Sequence, residues 1–273
     1  MSELKQTRAL RAESNSIAPV PAFTEGREGR LVPDLRQLLA AIEAGSCGLT
    51  RQGEPSRTDT RRIVSRLQSA PQGSHYAEFL VFLAIQLDLV ERTDGRLTLR
   101  SAYTDLYCDP ERPLAAMFEA WCRSPFWSER YPRRRIAWCG DQMAFAFYRE
   151  PLPRYREVAL GALRGVPIEV WVPFDEVLRV ARSLGFFEDV RWGYREAFGN
   201  WDGEADGPHV ILSRFLQEAL LWLGVVRVGR EAPASPRFSV YVTAEGAMLM
   251  GHPRGPRSLG AALGPGENSR HAG

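Results

Sequence analysis

The stretch FLAIQLDLVERTDGRLTLR, residues 82–100, carries an apolar helical run directly into two short segments separated by Asp94-Gly95. Asp-Gly between such segments is a strong hairpin signal, because the turn needs positive φ and these two residues tolerate it. A similar passage, FLQEALLWLGVVRVGREAPASPRFSVYVTAEG, occupies residues 215–246. Laying Leu87 and Val90 over Leu223 and Val226 places the two passages 136 positions apart. The pattern predicts one module, a helix running into a β-ribbon, built twice.

Working outward from the first passage, Pro33 and Asp34 open a helix whose apolar positions Leu35, Leu38, Leu39 and Ile42 recur at helical spacing, and Gly45 stops it. Leu49 and Thr50 suit a short strand. Thr58 is the expected N-cap of a second helix that buries Ile63, Val64 and Leu67. A third helix is expected over residues 76–89, with the hairpin after it. Residues 111–130 form a further amphipathic helix whose stripe of Leu114, Met117, Phe118, Trp121 and Trp127 reads as core. The second half repeats the plan: a helix over 154–163, a strand over 168–172, a helix over 173–184 with Pro173 at its first position, and a long apolar helix over 209–223. Strands over 225–228 and 238–242 then form a longer ribbon, and residues 244–249 close the unit.

The fold expected is mainly α with small β-hairpins (α+β): two winged helix-turn-helix domains joined by a helical, basic connector. Their boundaries fall at 31–130 and 154–251, with the connector at 131–153. Residues 1–30 and 252–273 lack hydrophobic periodicity and are expected to be disordered tails. A chain of 273 residues, 44% of them hydrophobic, can bury one large core or two ordinary ones, and two are expected.

Composition excludes several kinds of chemistry. The net charge is only +2, and the 35 basic residues comprise 34 Arg and the single Lys5, an imbalance that most simply reflects codon usage in a GC-rich genome. A P-loop needs a Lys to reach phosphates, and Schiff-base enzymes need one as nucleophile; Lys5 has no glycine loop before it. Cys47, Cys108, Cys122 and Cys139 form no C-x-x-C pair and follow no secretory signal pattern, so reduced, packed thiols in a cytoplasmic protein are expected. The longest apolar helix is interrupted by Glu78, Gln86 and Asp88 and is too short to span a bilayer.

Three passages, LRQLLAAIEAGSCGLTRQGEPSRTDTRRIVSRL, ERPLAAMFEAWCRSPFWSE and WLGVVRV with FSVYVTAEGAMLMG, together spanning residues 31–251, resemble the tandem winged-helix region of bacterial helicase-associated proteins, which is related to the N-terminal domain of XPB-type helicases. The resemblance implies an accessory role beside nucleic-acid enzymes, in DNA binding or complex assembly. The chain departs from a helicase in having no Walker A loop, so any motor must come from a partner.

The candidate nucleic-acid contacts are Arg57, Arg61, Arg62 and Arg66 on the second helix, Arg92, Arg96 and Arg100 on the first ribbon, and Arg133, Arg134 and Arg135 in the connector. Aligned, they form a basic strip able to follow a duplex backbone through counterion release; otherwise they are a solvated surface. Base reading is not expected, because the third helix of the first half carries no Arg or Lys. In the insertion at 185–208, Trp192, Tyr194, Phe198 and Trp201 beside Arg191 and Arg195 suit a partner contact or base stacking, or pack on their own domain. Asp202, Glu204, Asp206 and Gly207 imitate a calcium loop, but Ser213 stands where the twelfth-position carboxylate belongs, so no metal is expected. His75, His209, His252 and His271 show no metal-ligand spacing, and neither a G-x-S-x-G nor an H-E-x-x-H motif is present.

The sequence thus predicts a non-catalytic, cofactor-free accessory protein that contacts nucleic-acid backbone, a protein partner, or both. The alternatives are a pure interaction scaffold and a winged-helix transcription regulator.

Overall fold

A computed structural model of the chain describes residues 17–45, 47–50, 55–67, 75–100, 112–129, 152–185 and 208–251. It is a mixed α/β structure with small antiparallel sheets. In the first half, helices α1 (Leu31–Glu43), α2 (Arg57–Val64) and α3 (Tyr76–Gln86) lead into strands β2 (Val90–Thr93) and β3 (Arg96–Leu99), and α4 (Arg112–Arg123) follows. In the second, α5 (Leu152–Gly165), β4 (Trp171–Pro173), α6 (Phe174–Ser183), α7 (Pro208–Gln217) and α8 (Ala219–Trp222) lead into β5 (Val226–Arg230), β6 (Ser239–Val242) and α9 (Ala244–Leu249). A strand β1 (Phe23–Glu25) precedes them all.

The repeat expected from the two passages holds at the level of single hydrogen bonds. At the end of α3, Leu87 N–H bonds Leu83 O, Asp88 N–H bonds Ile85 O and Leu89 N–H bonds Ala84 O; at the end of α8, Leu223, Gly224 and Val225 bond Ala219, Leu221 and Leu220 in the same way. Every partner is displaced by the 136 positions that separate Leu87 from Leu223. Asp88 and Gly224 both adopt the left-handed region, at φ 58° and 71°, which turns the chain out of the helix and satisfies its last carbonyls. Each ribbon closes alike: Arg100 N–H donates to Leu89 O, and Thr243 N–H to Val225 O.

Between its first and second helices each half contacts the last strand of its own ribbon, through one isolated bridge in the first half and through a strand in the second. Gly48 bridges Arg96, while β4 pairs with β6 in the register Trp171↔Tyr241, Val172↔Val240. Sheet order in the second half is β1-β5-β6-β4; β2 and β3 form a two-stranded sheet with Val90 opposite Leu99 and Thr93 opposite Arg96.

Several expectations are corrected. Residues 23–25, assigned to a disordered tail, form β1 against β5, with Phe23 opposite Arg230 and Glu25 opposite Val228. The strand is held by backbone pairing along an otherwise open edge, and all three of its residues are exposed, so no hydrophobic alternation announces it. Ser56, not Thr58, caps α2: its Oγ accepts from Asp59 N–H at 3.1 Å, and Asp59 accepts from Ser56 Oγ at 2.7 Å. Pro173 ends β4 instead of starting α6, because its extended ψ of 141° keeps it paired with Ser239. The helix expected over 209–223 is interrupted at Glu218 (φ −116°, ψ −97°), although Trp222 N–H still bonds Glu218 O.

The expectation of two separate cores is also revised. Buried side chains from Leu31 to Met250 form one continuous cluster among the described residues. Its centre is aromatic: Trp222 of α8 lies 5.5 Å from Tyr76 and 5.2 Å from Phe79 of α3, centroid to centroid, and Trp127 lies 5.1 Å from Phe79 and 6.2 Å from Trp222. The cause is α3 itself. Eight of its eleven residues are buried, and a helix apolar on most faces needs cover on more than one side. No helix of the described residues is long and apolar enough to cross a membrane.

Candidate functional site

Ser56 caps the start of α2: its Oγ accepts from Asp59 N–H and donates to the Asp59 carboxylate, while its own N–H donates to Gly48 O. Asp59 also accepts from the backbone N–H of Gly48 at 3.0 Å, which ties the first turn of the helix to the residue that bridges Arg96. Ile63 is the one fully buried residue of the helix, with Leu67 beyond its end. Arg57, Arg61, Arg62 and Arg66 therefore face solvent. Asp59 carries an ion pair to Arg62 at 3.2 Å, whereas no carboxylate among the described residues pairs with Arg57, Arg61, Arg66 or Arg96.

Strand alternation divides the ribbon arginines. Residues directly opposite across a ladder share a face, and Arg92 lies opposite Leu97, which is buried. Arg96 and Arg100 belong to the other face with Glu91 and Thr93. There Arg100 is engaged by Glu91 at 3.2 Å and by Asp88, and these carboxylates raise its pKa, the Asp88 hydrogen bond most strongly. A continuous strip of seven arginines is thus not what the fold presents. It presents the exposed face of α2 joined through Gly48 to Arg96, with Arg92 also exposed but on the opposite face of the ribbon and Arg100 neutralised at the ribbon's base. Arg133, Arg134 and Arg135 lie outside the described residues, as do Trp192, Tyr194, Phe198, Trp201, the calcium-like run at 202–207, His252 and His271.

Elsewhere the chemistry is quiet. Burial, with the charge of Asp59 second, pushes the Cys47 thiol up to about 12, and burial pushes Cys122 up to about 11, so neither is a ready nucleophile. Burial also raises the Tyr76 hydroxyl well above its ordinary range, helped by the charge of Asp34, to which it donates at 2.8 Å. His75 Nδ1 lies 2.7 Å from Glu78, and His209 is exposed. Among the described residues no group of three His, Cys, Asp or Glu is placed to hold a metal.

The most elaborate polar site is one the sequence reasoning passed over. Arg156 of α5 is wholly buried, as is Glu129 after α4, and they pair at 3.0 Å. The guanidinium also donates to the carbonyls of Trp121, of Ser124 at 2.6 Å and of Trp127 at 2.5 Å, closing the end of α4. Glu129 accepts in turn from the Trp121 indole at 2.7 Å, and its backbone oxygen accepts from Arg214 of α7 at 3.0 Å. The network bolts the first half to the second. A signal existed: Leu152, Tyr155, Ala159, Leu160 and Leu163 make a helical apolar stripe, and Arg156 falls within it.

Beside the ribbon of the second half, a groove of 760 Å³ is bounded by residues 17–21 and lined by Phe174, Leu178, Arg182, His209 and Arg237. Compared with models of protein families, with curated proteins and with solved structures, the chain matches none of them.

Proposed function

We propose that this chain is a non-catalytic tandem winged-helix accessory protein that contacts nucleic-acid backbone through α2 and Arg96, and engages a protein partner, within a DNA-handling or antiviral-type complex. The observation that carries the reading is the repeated run of helices into a ribbon, with Gly48 in an isolated bridge to β3 in the first half where β4 pairs with β6 in the second. Arg57, Arg61, Arg66 and Arg96 supply exposed cations that no carboxylate among the described residues pairs with, which suits contact with phosphates through counterion release. The burial of α3 in the aromatic cluster favours recognition of backbone over bases, because side chains held in a core cannot reach base edges.

Duplex DNA binding followed by fluorescence anisotropy between about 50 and about 200 mM salt tests this. Wild-type affinity should fall steeply with salt. Each phosphate contact removed in the Arg57, Arg61, Arg66 and Arg96→Ala variant should flatten the log-log slope by roughly 0.9. Equal slopes and affinities for the two proteins would contradict the assignment.

The scaffold reading is favoured by one observation, the packing of the two third helices through Trp222, Tyr76 and Phe79, which uses the surface a DNA reader would expose. Absence of DNA binding at low salt, with a stable complex formed by a protein encoded beside this one, would select it. A transcription regulator would need a polar, exposed third helix, and α3 is neither.

A further inference from the structure

Residues 17–21 lie over the outward face of the second sheet, and residues 23–25 join its edge as β1 before the chain enters α1. On that face Trp171, Tyr241 and Arg227 stand in register across β4, β6 and β5: the two rings are 5.1 Å apart, and the Arg227 guanidinium lies 5.5 Å from the Tyr241 ring. The valines between them, Val172, Val240, Val226 and Val228, point into the core. The strap fits this face at three places. Ala18 N–H donates to Trp171 O at 2.8 Å. Pro21 passes over Gly229, where a Cβ would lie 2.2 Å from Pro21 Cγ and 2.8 Å from Trp171 Cζ3, so only glycine lets the proline ring settle beside the tryptophan. Beyond it, β1 pairs with β5 while Glu25 and Glu28 meet Arg230, at 2.9 Å, and Arg227.

A proline-containing extended chain, an aromatic pair to receive it, an open strand edge and carboxylates matched to arginines are the components of peptide recognition. Of the strap's apolar side chains only Ala18 is buried and Pro21 partly so, while Ile17, Val20 and Phe23 remain 71%, 82% and 49% exposed. The strap is held mainly by backbone hydrogen bonds and by ion pairs that solvent screens, a hold that a better-fitting segment can displace.

We propose that this face is a docking site for an extended, proline-containing segment of a partner protein bearing two carboxylates three residues apart, and that residues 17–28 occupy it in cis. The inference rests on the partner-binding part of the function proposed above and not on the nucleic-acid part, so the test contains no DNA. The probe is a fluorescent peptide copying residues 17–30. Full-length chain carrying Glu25→Arg and Glu28→Arg repels its own strap and should bind the peptide roughly tenfold more tightly than wild type, the worth of two exposed ion pairs. Adding Arg227→Glu to that chain restores attraction for the reversed strap and should weaken peptide binding again, a recovery that unfolding would not produce. If the doubly reversed chain loses its cooperative unfolding transition, Glu28→Arg alone against Glu28→Arg with Arg227→Glu makes the same comparison. Peptide binding that is equal in all the chains overturns the proposal. Dimerisation of the reversed chain without peptide overturns it too, by making a second copy the occupant.

Discussion

Arg156 shows how much one side chain can organise. A buried guanidinium with several acceptors is costly to desolvate, and leaving Glu129 behind as an uncompensated buried charge is costlier still. Arg156→Met should therefore destabilise the protein by about 3 to 5 kcal/mol in urea unfolding. Arg156→Met with Glu129→Leu should recover part of that loss, since no unpaired charge remains. Equal destabilisation by the single and double variants would mean that closing the α4 carbonyls, not charge pairing, is the residue's main work. The position of Arg156 was visible in the sequence as a cation inside an apolar stripe; its partners were not, because Glu129 lies 27 positions away and nothing local links them. The exposed arginines present the opposite case. Their solvent-facing positions on α2 followed from helical periodicity, but the loss of Arg100 to Asp88 and Glu91 depends on hairpin register and a left-handed turn, neither of which composition reveals.

At the scale of elements, the succession of helix and ribbon was legible beforehand, because Asp94-Gly95 at the first ribbon's tip is a local backbone requirement. The left-handed joints at Asp88 and Gly224 were not: the third helix was expected to reach residue 89, and α3 ends at Gln86. The joints use different residues for one conformation, which makes them a natural pair for comparison. Gly224→Ala forces a Cβ into the left-handed region and within 3.2 Å of the Glu28 backbone, and should cost about 1 to 2 kcal/mol by chemical denaturation. Asp88→Gly, the reverse exchange at the equivalent position, should change stability by no more than about 1 kcal/mol. A large loss at Asp88 and none at Gly224 would deny that the joints are equivalent. What the sequence concealed was β1, whose three exposed residues hold the edge of β5 through backbone pairing and the Glu25–Arg230 ion pair. The capping of α2 by Ser56 was concealed for another reason: Ser56 and Thr58 both have the chemistry, and only the position of Asp59 relative to each decides between them.

Across the whole molecule, the continuous cluster around Tyr76, Phe79, Trp127 and Trp222 makes the halves interdependent. Trp222→Ala should cost about 3 to 5 kcal/mol and shift helix content and tryptophan fluorescence together, as expected when one core unfolds as a unit. Separate midpoints for the two signals would indicate halves that fold alone. Periodicity had assigned each half its own apolar faces correctly but could not say that the faces meet, since α3 is apolar nearly all round and offers no preferred direction. The same packing bears on the proposed function: with α3 inside the cluster, the contacts proposed for nucleic acid fall to exposed arginines of the described residues and not to α3. Competition between two unrelated duplexes of equal length and end structure tests this most directly. The account predicts dissociation constants within about threefold of each other and parallel salt dependence, the behaviour of contacts to phosphate alone. Preference for one duplex by a hundredfold or more would contradict it, because discrimination of that size requires side chains on base edges.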